Sequence, residues 1–447
     1  MIKIYDTMTR SLRDFVPLTE NVVNMYVCGP TVYNYIHIGN ARSAVAFDTI
    51  RRYFEYCGYT VNYISNFTDV DDKIIKAANE AGISTKELSD KFIAAFMEDT
   101  GQLGIKPATQ NPRVINYMDE IIAFVSTLVD KGFAYVSEGD VYFRVAKSNN
   151  YAKLANKTLE DLEIGASGRT DAETERKENP LDFALWKAAK EGEVSWDSPW
   201  GPGRPGWHIE CSVMSTGILG DTIDIHGGGA DLEFPHHTNE IAQSEAKTGK
   251  TFANYWMHNG FVNVDNEKMS KSLGNFVTVH DMLQTVDGQV LRFFLATQQY
   301  RKPINFTEKA IHDAEVNLKY LKNTHSLPLT EQVNQAELQT YLDAFQEAMD
   351  DDFNTANGVT VLFDMAKWIN SGNYDQTVKD AFEKMLQVFG IVFEEEVLDE
   401  DIEKLIEERQ AARANKDFAT ADRIRDELAA QGIKLLDTKE GVRWTRD

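Results

Sequence analysis

The segment over residues 22–67 constrains the fold most strongly, because it has the pattern of a strand, a helix and a second strand. Residues 22–27 and 60–67 are short runs rich in apolar, β-branched and aromatic side chains, which favour strands. Between them apolar residues recur at spacings of three and four, with Asn40 as the predicted N-cap and Gly58 as the glycine that ends the helix. Strands joined through a helix are normally parallel, so the segment predicts an α/β protein with a parallel sheet.

A second apolar region begins near Trp207 and predicts another strand of the same sheet over residues 222–226, followed by three glycines at residues 227–229. The simplest arrangement is one Rossmann-type parallel-sheet domain over residues 1–305. An inserted connective subdomain over about residues 115–200 would interrupt it.

The remainder of the chain has helical periodicity. Residues 306–390 predict a helical bundle, with Thr307 as the N-cap of its first helix. An acidic run over residues 394–401 predicts a solvated joint. Residues 402–447 then predict a small C-terminal domain of two helices and a short ending, in which Trp444 is either a core residue or a surface for stacking bases.

The composition narrows the classes of protein. The chain has 447 residues, three cysteines and a net charge of −24, and no apolar run approaches the roughly 20 residues that span a bilayer. No secretory signal is recognisable at the start, so we expect a cytoplasmic protein with reduced thiols and no membrane partner. Residues 404–446 carry ten Lys and Arg against eight Asp and Glu. This local excess indicates either ordinary ion pairing or a surface for a polyanion.

Two short motifs carry candidate chemistry. Residues 37–40 (HIGN) lie between the first strand and its helix, where loop donors and the helix start can hold a phosphate. Residues 268–272 (KMSKS) form a cationic loop that could neutralise charge on a leaving pyrophosphate. The first motif alone is also compatible with a structural histidine, and the second alone with an exposed turn. The two motifs together, in this order, are a far more specific signal.

The two motifs resemble the signatures of class I aminoacyl-tRNA synthetases, and the surrounding blocks resemble the cysteinyl-tRNA synthetase family in particular. These blocks are residues 25–33 (MYVCGPTVY), 66–74 (NFTDVDDKI), 203–212 (GRPGWHIECS) and 231–240 (DLEFPHHTNE). The resemblance extends from residue 2 into the C-terminal domain. It implies a catalytic domain over residues 1–305, with anticodon-side domains after it.

Two thiols, an imidazole and a carboxylate form a donor set that suits zinc. His236 and Glu240 are four residues apart after Pro235, so on a helix starting there they would share one face. The resemblance places one Zn²⁺ on Cys28, Cys211, His236 and Glu240. The alternative is that both thiols are buried as small apolar side chains. Cys57 is interpreted as a packed thiol.

The resemblance implies a reaction in two steps. The carboxylate of cysteine attacks the α-phosphorus of ATP, used with Mg²⁺, which gives cysteinyl-adenylate and pyrophosphate. A terminal hydroxyl of tRNA(Cys) then attacks the acyl carbon. The expected roles are catalysis by His37, Lys268 and Lys271; ATP binding by His37, Asn40, Gly227, Gly228 and Lys271; and substrate binding by Thr68, Trp207 and Asp231.

Zinc would provide the selectivity, because it binds a thiolate well and the hydroxyl of serine poorly near neutral pH. A pocket that reads shape alone gives about 1–3 kcal/mol of discrimination, whereas a site that engages one group gives much more. We therefore expect discrimination without editing, with the thiolate added to the site or displacing Glu240.

Three alternatives remain open from the sequence. A ligase that joins cysteine to an amino sugar resembles the same catalytic domain but would lack residues 402–447. A different class I synthetase is disfavoured by the candidate zinc ligands. A non-catalytic paralogue is disfavoured by the intact His37, Lys268 and Lys271. The expected partners are tRNA(Cys), L-cysteine and ATP, and the expected state is a monomer.

Overall fold

The structure is a computed structural model that describes residues 1–166, 174–394, 400–439 and 441–446. The chain divides into two compact units, Met1–Val392 and Phe393–Asp447. Most of the predicted acidic joint, residues 395–399, lies outside the described residues. Within the described ranges, no helix combines the length and the apolar character that crossing a bilayer requires.

The first unit contains a central parallel sheet and smaller sheets around it. Its strands are β1 Lys3–Asp6, β2 Ser11–Asp14, β3 Val22–Val27, β4 Thr60–Ser65, β5 Ala134–Ser137, β6 Asp140–Phe143, β7 Phe183–Ala188, β8 Gly203–Pro205, β9 Ile223–Gly229, β10 Ala253–Asn259, β11 Val262–Val264, β12 Glu267–Lys268 and β13 Ile304–Phe306. The second unit has β14 Ile433–Thr438 and β15 Gly441–Arg446.

Helices surround these sheets in the first unit and build most of the second. In the first unit they are α1 Ile38–Tyr56, α2 Asp72–Ala81, α3 Thr85–Gln102, α4 Met118–Asp130, α5 Leu159–Ala166, α6 Trp207–Leu219, α7 Thr238–Thr248, α8 Val279–Met282, α9 Gly288–Ala296, α10 Glu308–His325, α11 Gln335–Asp350, α12 Thr355–Asn370 and α13 Gln376–Val388. The second unit has α14 Glu400–Ala414 and α15 Phe418–Ala430.

The central sheet has the strand order β10–β9–β3–β4, and all of its strands are parallel. Helix α1 is the crossover between β3 and β4, so the predicted strand–helix–strand unit is confirmed. Strand β9 continues through Gly229, so the glycines expected to follow the strand are its last residues. The register pairs Val27 with Gly227, which brings the carboxyl ends of β3 and β9 together.

The start of α1 differs from the prediction at one position. The N-cap is His37, whose side chain accepts a hydrogen bond from the backbone N–H of Asn40. The Asn40 side chain in turn accepts from the backbone N–H of His37, which completes a capping box. The prediction that Asn40 is the N-cap was therefore wrong by three residues. Gly58 follows the helix with φ of 93°, as predicted for the residue that ends it.

The interval predicted as an insertion contains α4, α5 and an antiparallel sheet, with residues 167–173 outside the described ones. The strand order of this sheet is β5–β6–β7–β8. Strand β8 ends at Pro205, beyond the predicted boundary at residue 200, and α6 begins at Trp207. The last strand of the small sheet therefore leads directly into a helix that carries predicted site residues.

The region after β13 is helical, as predicted, and Thr307 caps α10 by accepting from the N–H of Ala310. A buried ion pair joins α1 to α9 and also contacts the end of α13. The Arg292 guanidinium lies 2.7 Å from the Asp48 carboxylate, and the two side chains are 0% and 2% exposed. Arg292 also donates to the carbonyl of Phe389, just after α13. One buried cation thus joins three helical segments.

Replacing Asp48 by alanine is expected to lower the free energy of unfolding by about 3–5 kcal/mol, because it leaves the Arg292 charge buried without its carboxylate. The measurement is urea unfolding followed by circular dichroism. The control is Asp313→Ala, which removes an exposed i,i+4 pair with Lys309 and should cost less than about 1 kcal/mol. Equal losses in both variants would contradict the assigned role of the buried pair.

The second unit packs its two helices against a hairpin of β14 and β15. Its core is formed by Ile402, Ile424, Leu428 and Ile433, and Trp444 packs against that core. Arg409 binds the Asp437 carboxylate through two hydrogen bonds of 2.9 Å. Of the two alternatives for the positive charges over residues 404–446, this arginine therefore fits ordinary ion pairing.

Candidate functional site

The carboxyl end of β3 supplies the first candidate metal ligand. Cys28 follows Val27 directly, and its backbone N–H donates to the carbonyl of Gly227 over 3.3 Å. This bond continues the pairing between β3 and β9 by one residue. It therefore fixes the Cys28 thiol at the carboxyl edge of the sheet, where sites of open parallel sheets lie.

Two helices supply the other ligands. Cys211 is buried in the second turn of α6, and Glu240 is buried in the first turn of α7. His236 was predicted on the same helix face as Glu240. That helix starts at Thr238, however, and His236 lies in the irregular turn before it. The His236 Nε2 atom nevertheless lies 2.9 Å from Glu240 Oε1.

The structure brings all four predicted ligands together, and we call Cys28, Cys211, His236 and Glu240 the four-ligand cluster. One ligand atom from each lies within 4.8 Å of every other. The Cys28 sulfur lies 3.6 Å from the Cys211 sulfur and 3.4 Å from Glu240 Oε1. Two soft sulfurs, one imidazole and one carboxylate at this separation form a donor set that suits zinc.

The protonation states of the cluster follow from burial and mutual contacts. Burial raises the pKa of Glu240, but the neighbouring His226 and His236 lower it to about 2. Burial lowers the pKa of His236, but Glu240 and Cys211 raise it to about 10. For Cys211, burial raises the pKa, and the Cys28 thiol together with His236 lowers it to about 6. The cluster therefore already favours a thiolate and a carboxylate near neutral pH.

Further histidines lie beside the cluster, and none of them was predicted from the sequence as a metal ligand. His226 Nε2 lies 2.6 Å from Glu240 Oε2, and its ring stacks on Trp256 with centroids 4.5 Å apart. His237 Nε2 lies 3.4 Å from the Cys28 sulfur, and its Nδ1 lies 2.7 Å from His258 Nε2. Cys28, His226, His237 and Glu240 form a second set of candidate ligands. The available sequence signal was the pair of adjacent histidines at 236 and 237.

The predicted amino-acid contacts lie beside the cluster. Trp207 is 41% exposed and stacks on the His236 ring at 4.2 Å, so it forms a wall next to a candidate ligand. Thr68 is buried; its hydroxyl accepts from the Asn66 amide and donates to Glu210 over 3.4 Å. Sequence reasoning missed Asn66 and Glu210, although both lie within the quoted blocks. Burial raises the pKa of Glu210 well above its ordinary value.

The two signature motifs also meet in the structure. The backbone N–H of Ile38 donates to the carbonyl of Val277, which ties the start of α1 to the segment after the KMSKS loop. The Lys271 ammonium lies 5.6 Å from the Phe276 ring centroid, and the His37 ring contacts the same phenyl ring. Burial, together with the positive charges of Lys271 and Lys73, lowers the pKa of His37 to about 4. His37 is therefore neutral at pH 7.

Lys268 points elsewhere, with its ammonium 5.4 Å from the Phe261 ring centroid. The structure thus places His37 and Lys271 together, while Lys268 occupies a different part of the loop. Asn40 lies in the first turn of α1, beside His37.

The predicted adenosine contacts lie in tightly packed backbone. A Cβ atom on Gly227 would come within 2.4 Å of the Phe47 ring, and one on Gly228 within 3.0 Å of the His237 ring. Packing alone therefore disfavours a side chain at both positions, most strongly at Gly227, and their contact with adenosine stays a prediction. Asp231 is exposed, just after the last residue of β9.

Family models match most of the chain. The catalytic domain of class I (C) tRNA synthetases matches residues 14–316, the DALR domain matches residues 344–394, and the anticodon-binding domain of cysteinyl-tRNA ligase matches residues 395–444.

Individual relatives and solved structures agree with these matches. The chain is 95% identical to a cysteine–tRNA ligase of Streptococcus thermophilus and 83% identical to one of Streptococcus pyogenes, over the full length of both chains in each case. Among solved structures it resembles Mycobacterium tuberculosis methionyl-tRNA synthetase in complex with methionyl-adenylate, with a TM-score of 0.61 at 15% identity. That match covers 82% of this chain and 89% of the other, and it supports the predicted Rossmann-type fold.

Proposed function

Because the chain belongs to the cysteinyl-tRNA synthetase family of class I aminoacyl-tRNA synthetases, we propose that the four-ligand cluster is the zinc site at which it recognises cysteine. The family's reaction, which this chain performs, joins cysteine to tRNA at the expense of ATP. The observation that carries the zinc proposal is the convergence within 4.8 Å of two thiols, an imidazole and a carboxylate, which come from the end of β3, from α6, from the turn before α7 and from α7.

The donor chemistry fits zinc, since three of the four ligands are buried, Cys28 is half-buried, and two of the donors are soft sulfurs. When bound, zinc supplies a Lewis acid that favours the thiolate of cysteine over the hydroxyl of serine. The chain's own residues hold the rest of the amino acid. Trp207 provides an apolar wall beside the cluster, and the Thr68 hydroxyl, held between Asn66 and Glu210, presents a fixed polar contact.

The ATP side of the reaction is assigned to the two signature motifs. The cysteine carboxylate attacks the α-phosphorus, forming an O–P bond while the bond to the β-phosphate oxygen breaks and pyrophosphate leaves. Neutral His37 can donate to a phosphoryl oxygen, and Lys271 offsets the charge that builds on the leaving pyrophosphate. Lys268 acts on the triphosphate from its own part of the loop. The nucleotide and substrate crevice is proposed to be lined by Asn40, Gly227, Gly228 and Asp231.

The second step uses tRNA, whose terminal hydroxyl attacks the acyl carbon and displaces AMP. The match of the anticodon-binding domain argues for tRNA as the acceptor over an amino sugar. We further propose that the chain acts as a cytoplasmic monomer with Mg²⁺-bound ATP. The three cysteines without disulfide partners support a reducing compartment.

The test is amino-acid-dependent exchange between ATP and pyrophosphate, run with cysteine and with serine before and after the metal is stripped. We expect exchange with cysteine, none above background with serine, and a loss of the cysteine reaction that zinc restores. Exchange that persists in protein shown to contain no metal would overturn the zinc proposal. A parallel assay of cysteine transfer to tRNA tests the second step.

A further inference from the structure

A second lysine lies next to the Lys271 end of the ATP site. Helix α2 begins at Asp72, after Asp71 caps it, and Lys73 is an exposed residue in its first turn. The Lys73 ammonium lies 5.4 Å from the ring centroid of Tyr33, and the Lys271 ammonium lies 5.4 Å from the centroid of the same ring. Two cations from segments far apart in the sequence therefore lie near the same aromatic ring.

The carboxylates nearest to Lys73 are bound to other groups. Asp72 is bound by Arg204 and lies 3.9 Å from the Lys187 ammonium, whereas Asp71 accepts from the backbone N–H of Lys73. Across the described parts of the chain, neither Lys73 nor Lys271 has a carboxylate oxygen within 4.0 Å of its ammonium. Both ammonium groups therefore remain available to an anion, and a polyanion bound beside the Tyr33 ring would be attracted by both charges.

The location of the pair identifies the anion. The positive charges of Lys73 and Lys271 both lower the pKa of His37. All three side chains therefore lie around one region at the start of α1. Tyr33 belongs to the segment between β3 and α1, so its ring stands at the carboxyl edge of the central sheet. Two polyanions reach this edge during the reaction, the triphosphate of ATP and the acceptor end of tRNA. The triphosphate is favoured as the ligand, because His37 and Lys271, which lie beside Lys73, are the residues proposed to contact the ATP phosphates.

We propose that Lys73 is a third cationic contact for the ATP phosphates, and that Tyr33 holds it opposite Lys271. This inference rests on the proposed function of His37 and Lys271. Lys73 provides a charge from the fixed first turn of a helix, whereas Lys271 provides one from a loop. A pair of this kind can hold the leaving pyrophosphate as it separates from the α-phosphate.

The test is Lys73→Met, assayed by cysteine-dependent pyrophosphate exchange. Loss of one charged contact is expected to reduce kcat/KM for ATP by about 10- to 100-fold, while the KM for cysteine and the zinc content do not change. Lys73→Arg should recover much of the loss. The matched control is Lys76→Met on the same helix, whose ammonium lies 4.0 Å from Glu80 and which should behave as the wild type.

The outcomes separate this inference from the function on which it rests. A Lys73→Met enzyme within twofold of the wild type, in a preparation where Lys271→Met is strongly impaired, would overturn only the role of Lys73. If both variants retain full exchange, the proposed triphosphate site itself fails. Transfer of cysteine from preformed cysteinyl-adenylate to tRNA needs no triphosphate. An equal loss in that step would therefore show that Lys73 does not act through the triphosphate, which also overturns the inference.

Discussion

Replacing Cys211 by serine is expected to remove zinc from the purified protein and to abolish most of the discrimination between cysteine and serine. The substitution replaces a soft sulfur, buried and 3.6 Å from the Cys28 sulfur, with a hydroxyl that remains protonated near neutral pH. Changes outside the ligand sphere of a metal site already cost 10- to 100-fold in affinity, so loss of a ligand should cost at least about 100-fold. Selectivity should then fall to the roughly 10- to 200-fold that a small difference in pocket shape provides.

Two measurements check this expectation: metal content by mass spectrometry, and the ratio of kcat/KM for cysteine to that for serine in pyrophosphate exchange. Cys57→Ser is the matched control, because it makes the same chemical change at the C-cap of α1, outside the four-ligand cluster. We expect this control to retain one zinc ion per chain and the selectivity of the wild type.

The same variant distinguishes the two candidate ligand sets. If the ion were held by Cys28, His226, His237 and Glu240, Cys211→Ser would keep its zinc, and His237→Ala would lose it instead. X-ray absorption on the unliganded wild type gives an independent answer. The four-ligand cluster predicts two sulfur neighbours, whereas the alternative set predicts one.

Replacing Lys271 by methionine is expected to slow adenylate formation by about 10²- to 10³-fold, the loss observed when one preorganised donor to a developing charge is removed. Methionine retains much of the side-chain length, so the contact with the Phe276 ring can persist while the charge is lost. Because the triphosphate carries most of its charge on the leaving pyrophosphate, the defect should appear in kcat of exchange more than in the KM for cysteine.

Lys309→Met is the control for this second prediction, since Lys309 is 84% exposed and pairs with Asp313 on the surface of α10. Single-turnover formation of cysteinyl-adenylate gives the rate of the chemical step directly. A Lys271→Met enzyme with a normal single-turnover rate would show that the lysine does not stabilise the transition state.

Local patterns in the sequence were sufficient to predict much of the secondary structure. Periodicity and capping preferences over a few residues predicted the strands β3 and β4, the glycine at position 58 and the Thr307 cap of α10. The error at Asn40 has a local cause as well. Asparagine is a preferred N-cap residue and histidine is not, so capping preference favoured Asn40, whereas in the capping box the side chains of His37 and Asn40 both accept from the backbone.

The sequence also supplied a candidate ligand set, because only three thiols are present and the family resemblance implies zinc on Cys28, Cys211, His236 and Glu240. Only the tertiary structure determines which of these donor atoms lie close enough together to bind one ion. The register of β3, β9 and β10 brings His226 and His258 beside the cluster, and the turn before α7 orients His236 and His237 toward different partners. The meeting of Lys73 and Lys271 on Tyr33 likewise depends on where α2 and the KMSKS loop pack. Periodicity and capping act within a few residues, whereas these contacts join distant segments through strand register and packing, which no local pattern encodes.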